Sequence, residues 1–171
     1  MRRLLPVLAL VLGVAALGTA HAADPLPFER GSWAKLSAAH AGRPTVVHFW
    51  GLTCAPCLAE LPNWGKLLAT HRNLNLVLIA ADPLPQSPGQ VVATLARAGL
   101  GNAESWIFTD RFNERLRYEI DISWAGELPR TMLFSPGGKV TVLPGVADLD
   151  KVRAWLDDGQ PRDPDLKGKN P

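Results

Sequence analysis

The chain has 171 residues, 18 Lys plus Arg against 16 Asp plus Glu, and only two cysteines. That is about one domain's length, and so even a charge balance excludes the broad basic surface that nucleic acid requires. A small secreted scaffold spends several cysteines on staples, whereas a chain of this length buries an ordinary core without them.

The first residues read as an export signal. Arg2 and Arg3 form a basic start, Leu4 to Leu17 an apolar run interrupted by Pro6, and Gly18-Thr19-Ala20-His21-Ala22 a small-residue cleavage pattern. Cleavage after Ala22 is expected. The rival reading is an uncleaved anchor, but a bilayer span takes about 20 apolar residues and this run is shorter. No cysteine lies near the cleavage pattern, which excludes a lipoprotein. Losing residues 1–22 removes two arginines and no acid, so the mature charge is balanced. No later apolar run approaches spanning length, so no stable membrane anchor is expected once the leader is gone.

After a Pro-bearing lead-in from Ala23 to Gly31 comes a short helix, Ser32 to His40, with Ser32 its expected N-cap. Thr45 to Trp50 is a β-rich run and reads as a buried strand. A helix from Cys54 to about His71 follows, with Leu58, Leu61, Trp64, Leu67 and Leu68 on one side and a kink expected at Pro62. Leu74 to Ala80 is the second central strand, Asp82 to Gly89 a Pro-rich loop, and Gln90 to Ala98 a helix stopped by Gly99. Ser105 to Thr109 reads as a strand, Arg111 to Tyr118 as a short charged helix, and Ile120 to Leu128 as irregular. Thr131 to Ser135 and Lys139 to Leu143 flank Pro136-Gly137-Gly138, a hairpin signal. Asp148 caps a last helix to about Asp158, and Gly159 to Pro171 is a Pro-, Gly- and charge-rich tail expected to be disordered. Strands alternating with helices, then a terminal hairpin and helix, imply an α/β sandwich around a central mixed sheet over residues 23–158.

The chemistry concentrates at Cys54-Ala55-Pro56-Cys57. On a strand-to-helix turn, Cys54 meets free N–H groups and the positive end of the helix dipole, which favour a thiolate. Cys57, about one turn further in, can resolve the mixed disulfide that Cys54 forms with a substrate. Pro56 gives up only an N–H that the first helical turn does not use. A purely structural bridge is the first alternative, but so short a loop gains only about 2 kcal/mol. A metal site is the second, but zinc wants four ligands, no second Cys pair exists, and His40, His48 and His71 offer no tight spacing. No metal or cofactor is expected.

At these residues the chain resembles the thioredoxin superfamily, and within it the TlpA/ResA-type periplasmic thiol–disulfide oxidoreductases. The matching blocks are Val46-Val-His-Phe-Trp-Gly-Leu-Thr-Cys-Ala-Pro-Cys-Leu-Ala-Glu-Leu-Pro62 and Glu127-Leu-Pro-Arg-Thr-Met-Leu-Phe134 before Gly137-Gly138-Lys139. The resemblance covers roughly residues 30–158 and implies a thioredoxin-like sandwich. It implies that Pro129 is a cis-proline against the active-site disulfide, although most X–Pro bonds are trans, and that Leu128 lends its backbone to substrate. It places Glu60 where this branch carries an acid that tunes proton transfer at the thiols; a solvated carboxylate near a helix start is the other reading. Glu127 is a second, weaker candidate to face the site. Trp50 reads as packing, and Trp124 either lines a peptide groove or covers the core. His48 departs from the pattern, since plain thioredoxins carry a buried Asp there; it either does related acid–base work or is a satisfied core histidine. Thr53 departs too, where many relatives have Trp.

Between Cys57 and Pro129 there is room for one extra βα unit beyond a plain thioredoxin, and too little for the helical insertion of DsbA-type oxidants. By resemblance this favours a periplasmic reductase kept reduced by a membrane donor of the DsbD/CcdA type. Its clients would be disulfide-bearing proteins in cytochrome c maturation or metal-centre assembly. An oxidant or isomerase, and a thioredoxin-fold binding module without turnover, stand as alternatives.

Overall fold

The computed structural model describes residues 23–71, 73–83 and 85–159. The expected export signal, and the expected tail beyond residue 159, lie outside the described residues. In chain order the elements are β1 (Leu26–Phe28), α1 (Ser32–Ala39), β2 (Thr45–Trp50), α2 (Ala55–Thr70), β3 (Asn75–Ala80), α3 (Pro88–Arg97), β4 (Glu104–Phe108), α4 (Asn113–Ile120), β5 (Arg130–Phe134), β6 (Val140–Pro144) and α5 (Leu149–Gly159). The six strands of the described residues form one sheet in the order β1-β4-β3-β2-β5-β6. The first four run parallel, while β5 and β6 are antiparallel to their neighbours. This is the α/β sandwich with a mixed sheet that the alternation of strand and helix signals implies.

Strand β2 is central, and all six of its residues are buried. A parallel strand covered on both faces must be apolar throughout, which is why Thr45-Val-Val-His-Phe-Trp50 shows no polar alternation. Successive side chains still point to opposite faces. Val46 and Trp50 join the core beneath α2, α3 and α5, whereas Val47 and Phe49 join the core beneath α1 and α4. The same alternation puts His48 on the α2 face. The α3–β4 unit is the extra βα insertion, and it adds β4 to the outer side of β3.

The structure corrects several local readings. The lead-in contains a strand, β1, because an edge position tolerates the missing N–H of Pro27. The N-cap of α1 is Gly31, at φ 81°, rather than Ser32. Ser32 is the first helical residue, and its Oγ accepts the Glu29 N–H at 3.0 Å instead of capping forward. Pro62 lies inside α2 without ending it, and Leu58 lies outside the helix's buried stripe, 38 % exposed.

Helix α2 passes the C-terminal end of α3 at Gly65, where a Cβ would collide with the Ala98 carbonyl oxygen. Alanine is the better helix former by about 1 kcal/mol, but a backbone carbonyl cannot swing aside as a side chain can. Gly65→Ala is therefore expected to lose about 2 kcal/mol net of that gain. Urea denaturation checks this; an unchanged midpoint would contradict the close approach.

Candidate active site

The two sulfurs stand on the turn between β2 and α2. Cys54 is the N-cap of α2, in extended backbone, and its Sγ accepts the Cys57 N–H at 3.3 Å. The Cys54–Cys57 disulfide has an S–S length of 2.01 Å. Cys57 is fully buried while Cys54 is half-buried, so an incoming thiol or disulfide can reach only Cys54. The two sulfurs thus differ in access, the first half-buried and the second enclosed.

The turn is held by Asp82, which follows β3 and is 2 % exposed. Its carboxylate accepts the Leu52 N–H at 2.5 Å, the Thr53 hydroxyl at 2.5 Å, and the Thr53 N–H at 3.3 Å. Asn113 on α4 donates to the Asp82 carbonyl at 2.7 Å, tying down the backbone behind it. Gly51 lies so close that any Cβ there would overlap the Asp82 carboxyl group. Sequence reasoning left Asp82 in a Pro-rich loop. The available signal was an acid directly after a central parallel strand, at the carboxyl end where α/β sheets place their sites.

Leu128–Pro129 is a cis peptide bond, as the resemblance implied. The buried Pro129 carbonyl accepts the Gly145 N–H at 2.9 Å, and Leu128 packs on the same core as Cys57. The preceding segment is clamped by Arg130, 5 % exposed, which pairs with Asp121 and with Glu127 at 3.0 Å. Its guanidinium also lies over the Trp124 ring, 5.4 Å from the centroid. Glu127 is therefore spent on Arg130, not aimed at the sulfurs. Trp124 is buried against Phe49, with ring centroids 4.8 Å apart, and covers the α1–α4 core instead of lining a groove.

Beneath the disulfide lies a buried polar chain. Glu60 sits three residues beyond Cys57 on α2, hence on the same helix face, and is 5 % exposed, which removes the solvated-carboxylate reading. Its Oε2 accepts the Ala147 N–H at 3.0 Å from the β6–α5 loop. Burial pushes the Glu60 carboxyl up to about 7, against the pull of that N–H. His48, fully buried, lies with Nδ1 3.0 Å from Thr131 Oγ1 and Nε2 3.3 Å from Glu60 Oε1. Burial holds the imidazole down at about 3, so it is neutral throughout the physiological range. The Trp64 ring closes the chamber, 5.0 Å from the imidazole. Alongside, an open groove of about 800 Å³ runs between α2 and α3, bordered by Leu52 and Thr53 next to Cys54 and by Arg97 at its far rim.

Two expectations test this arrangement. Asp82→Ala strands three donors and is expected to cost about 3 kcal/mol in thermal unfolding, with Asp82→Asn milder because one acceptor remains. The second concerns pH. The folded value of Glu60 lies above its ordinary 4.5, so its contribution to stability is complete below 4.5 and is lost as pH rises through 7. His48 has the opposite sign: its folded value lies below 6.5, so stability falls as pH drops beneath 6.5. Between 4.5 and 6.5 the two cancel, since one proton is bound in each state, on Glu60 when folded and on His48 when unfolded. Glu60→Gln should unmask the histidine, giving a loss of roughly 1.4 kcal/mol per pH unit below 6.5. Chemical denaturation at pH 5 and pH 6 reads it; equal stabilities at the two would contradict it.

No protein-family model matches the chain, and no curated protein does. Solved structures do match. A secreted Mycobacterium tuberculosis disulfide oxidoreductase homologous to E. coli DsbE is 18 % identical, with a TM-score of 0.56 over 71 % of this chain and 85 % of that one. A thioredoxin-family thiol:disulfide interchange protein from Chlorobium tepidum is 20 % identical, with a TM-score of 0.54 over 70 % and 83 %. StoA from Bacillus subtilis is 21 % identical, with a TM-score of 0.51 over 68 % and 84 %. Identities this low speak for architecture, and they agree with the strand order, the Cys-x-x-Cys turn and the cis-proline: the chain has the thioredoxin-like fold.

Proposed function

We propose that this chain is a thiol–disulfide oxidoreductase working as a reductase of protein disulfides. The observation that carries the reading is the asymmetry of the pair: an accessible sulfur at a helix N-cap, joined to a fully buried one with a buried carboxyl one turn behind. In the dithiol form the Cys54 thiolate, favoured by the free N–H groups of the first turn, attacks one sulfur of a client disulfide; the client S–S bond breaks as the mixed disulfide forms, and the other client sulfur leaves as a thiolate that takes a proton from solvent. Cys57 then gives its proton to the Glu60 carboxylate and attacks Cys54 Sγ. The client sulfur bound to Cys54 leaves in turn as a thiolate and takes a proton from solvent. Two electrons pass to the client, and Glu60 ends protonated, in keeping with a carboxyl that burial holds at about 7 beside the disulfide. Pro129 and Leu128 present the backbone that receives the client chain, and the groove beside Leu52 and Thr53 accommodates residues flanking the client cysteine.

The reductive direction is supported by the modest α3–β4 insertion and by the resemblance to the TlpA/ResA branch. In that role a membrane protein of the DsbD/CcdA type supplies electrons, and the clients belong to cytochrome c maturation or metal-centre assembly. Residues 1–22 direct the chain to the periplasm, and no helix of the described residues is long and apolar enough to cross a membrane.

The test is the equilibrium of the Cys54–Cys57 pair with glutathione. A potential near that of thioredoxin, about −270 mV, is expected; one near DsbA, about −120 mV, would mark an oxidant instead. In parallel, Cys57→Ala should trap clients on Cys54 as mixed disulfides on non-reducing gels, and Cys54→Ala should abolish turnover. Retained turnover in Cys54→Ala would favour a binding module.

A further inference from the structure

Two buried polar atoms, His48 Nε2 and Glu60 Oε1, lie 3.3 Å apart, and neither completes a hydrogen bond with any group among the described residues, so each is the nearest available partner of the other. The outer ends of the two groups are already engaged. Glu60 Oε2 accepts the Ala147 N–H and has no acceptor to which it could donate a proton among the described residues, whereas Oε1 faces the Nε2 lone pair. The proton of a neutral Glu60 must therefore sit on Oε1 and point at Nε2. Accepting it requires an unprotonated Nε2, which puts the ring hydrogen on Nδ1, donated to Thr131 Oγ1. When Glu60 is ionised the demand reverses: Oε1 needs a donor, and among the described residues the one in reach is Nε2–H. Nδ1 is then bare and accepts from the Thr131 hydroxyl, which can play either part.

We infer that His48 is a tautomeric partner of Glu60, its ring hydrogen on Nδ1 when the carboxyl is neutral and on Nε2 when it is ionised. It is a positioning residue, acting on the sulfurs through Glu60. As Cys57 is deprotonated, the sulfur loses one proton and the pair gains one. The pair passes from carboxylate with Nε2–H to Oε1–H with Nδ1–H, and no buried atom is stranded in either state. An aspartate at position 48 would set a second carboxyl against Glu60, and an apolar residue would leave Oε1 bare. Burial keeps the imidazole neutral across the range in which Glu60 titrates, which is what lets it answer by tautomer instead of by charge.

The surroundings leave Glu60 as the group that drives the switch. On α2 the neighbouring titratable groups are the two cysteines, here joined as a disulfide. On β5, Arg130 adjoins Thr131 but pairs with Asp121 and Glu127. On β3, the residue beside His48 is Leu78. In the β6–α5 loop, exposed Asp148 accepts the Asp150 and Lys151 N–H groups of its own helix. Asp82 is engaged by Leu52 and Thr53.

The link to Cys57 rests on the exchange reaction proposed above; the tautomer change rests on geometry alone. Multiple-bond ¹H–¹⁵N spectra of the oxidised protein from pH 5 to 9 read it directly, with His48 assigned by the signals lost in His48→Gln. Nδ1 should carry the hydrogen at low pH and Nε2 at high pH, crossing near 7, where Glu60 titrates. In Glu60→Gln, the amide must turn its oxygen to Ala147 and its NH₂ to Nε2, so His48 should stay Nδ1-protonated throughout. A single tautomer across the range in the unaltered protein, an imidazolium within it, or a crossing that survives Glu60→Gln would each overturn the inference. In His48→Leu, the pH at which the glutathione equilibrium changes slope should move up by about one unit, a tenfold change in proton affinity; no movement would remove the coupling to the sulfurs. A protein that shows the crossing but reduces no disulfides would refute the function and leave the switch standing.

Discussion

The two sulfurs stand where they do because a buried carboxylate, Asp82, holds the turn in front of them. Three donors from Leu52 and Thr53 converge on it. Gly51 leaves it room, and α4 braces its backbone through Asn113. With that turn fixed, Cys54 falls at the N-cap of α2, and the helix carries Cys57 and Glu60 inward. The helix's depth is set in turn by Gly65 against the end of α3. The placement of the reactive sulfur is thus a property of the β3–α3–β4 side of the molecule as much as of the Cys-x-x-Cys sequence.

Two buried carboxylates lie near one another in the fold and are held in different ways. Asp82 is surrounded by donors, two backbone N–H groups and a hydroxyl, and serves as a fixed anchor for the turn. Glu60 has one backbone N–H and a neutral imidazole, too little to compensate burial, and its carboxyl rises into the range where protons are exchanged. The two differ in hydrogen-bond supply: three donors for Asp82, one backbone N–H for Glu60.

Much of this was legible in the chain. The β-rich Thr45–Trp50 run, the Cys-x-x-Cys turn and the Pro-Gly-Gly hairpin follow from local pattern, and the cis-proline follows from a resemblance to a known family. What escaped depended on contacts between distant residues. Asp82 meets Thr53 across 29 positions, and Glu60 meets Ala147 across 87, so neither the latch nor the burial of Glu60 leaves a local trace. Strand β1 was hidden by Pro27, because its pairing is supplied by β4, 80 residues later. Ser32 looked like a cap because its residue type is right; Gly31 took the position by reaching a positive φ that serine rarely adopts.

Both open edges of the sheet carry a proline, Pro27 in β1 and Pro144 in β6. An incoming strand adds to an edge by matching its row of N–H and C=O groups, and each proline deletes a donor from that row. The proposed exchange with client disulfides would bring extended polypeptide up to these edges. Edges of this kind resist being zipped into it, so in the proposed function a client would be held by a bond between sulfurs and let go when that bond is exchanged, without being added to the sheet as a further strand.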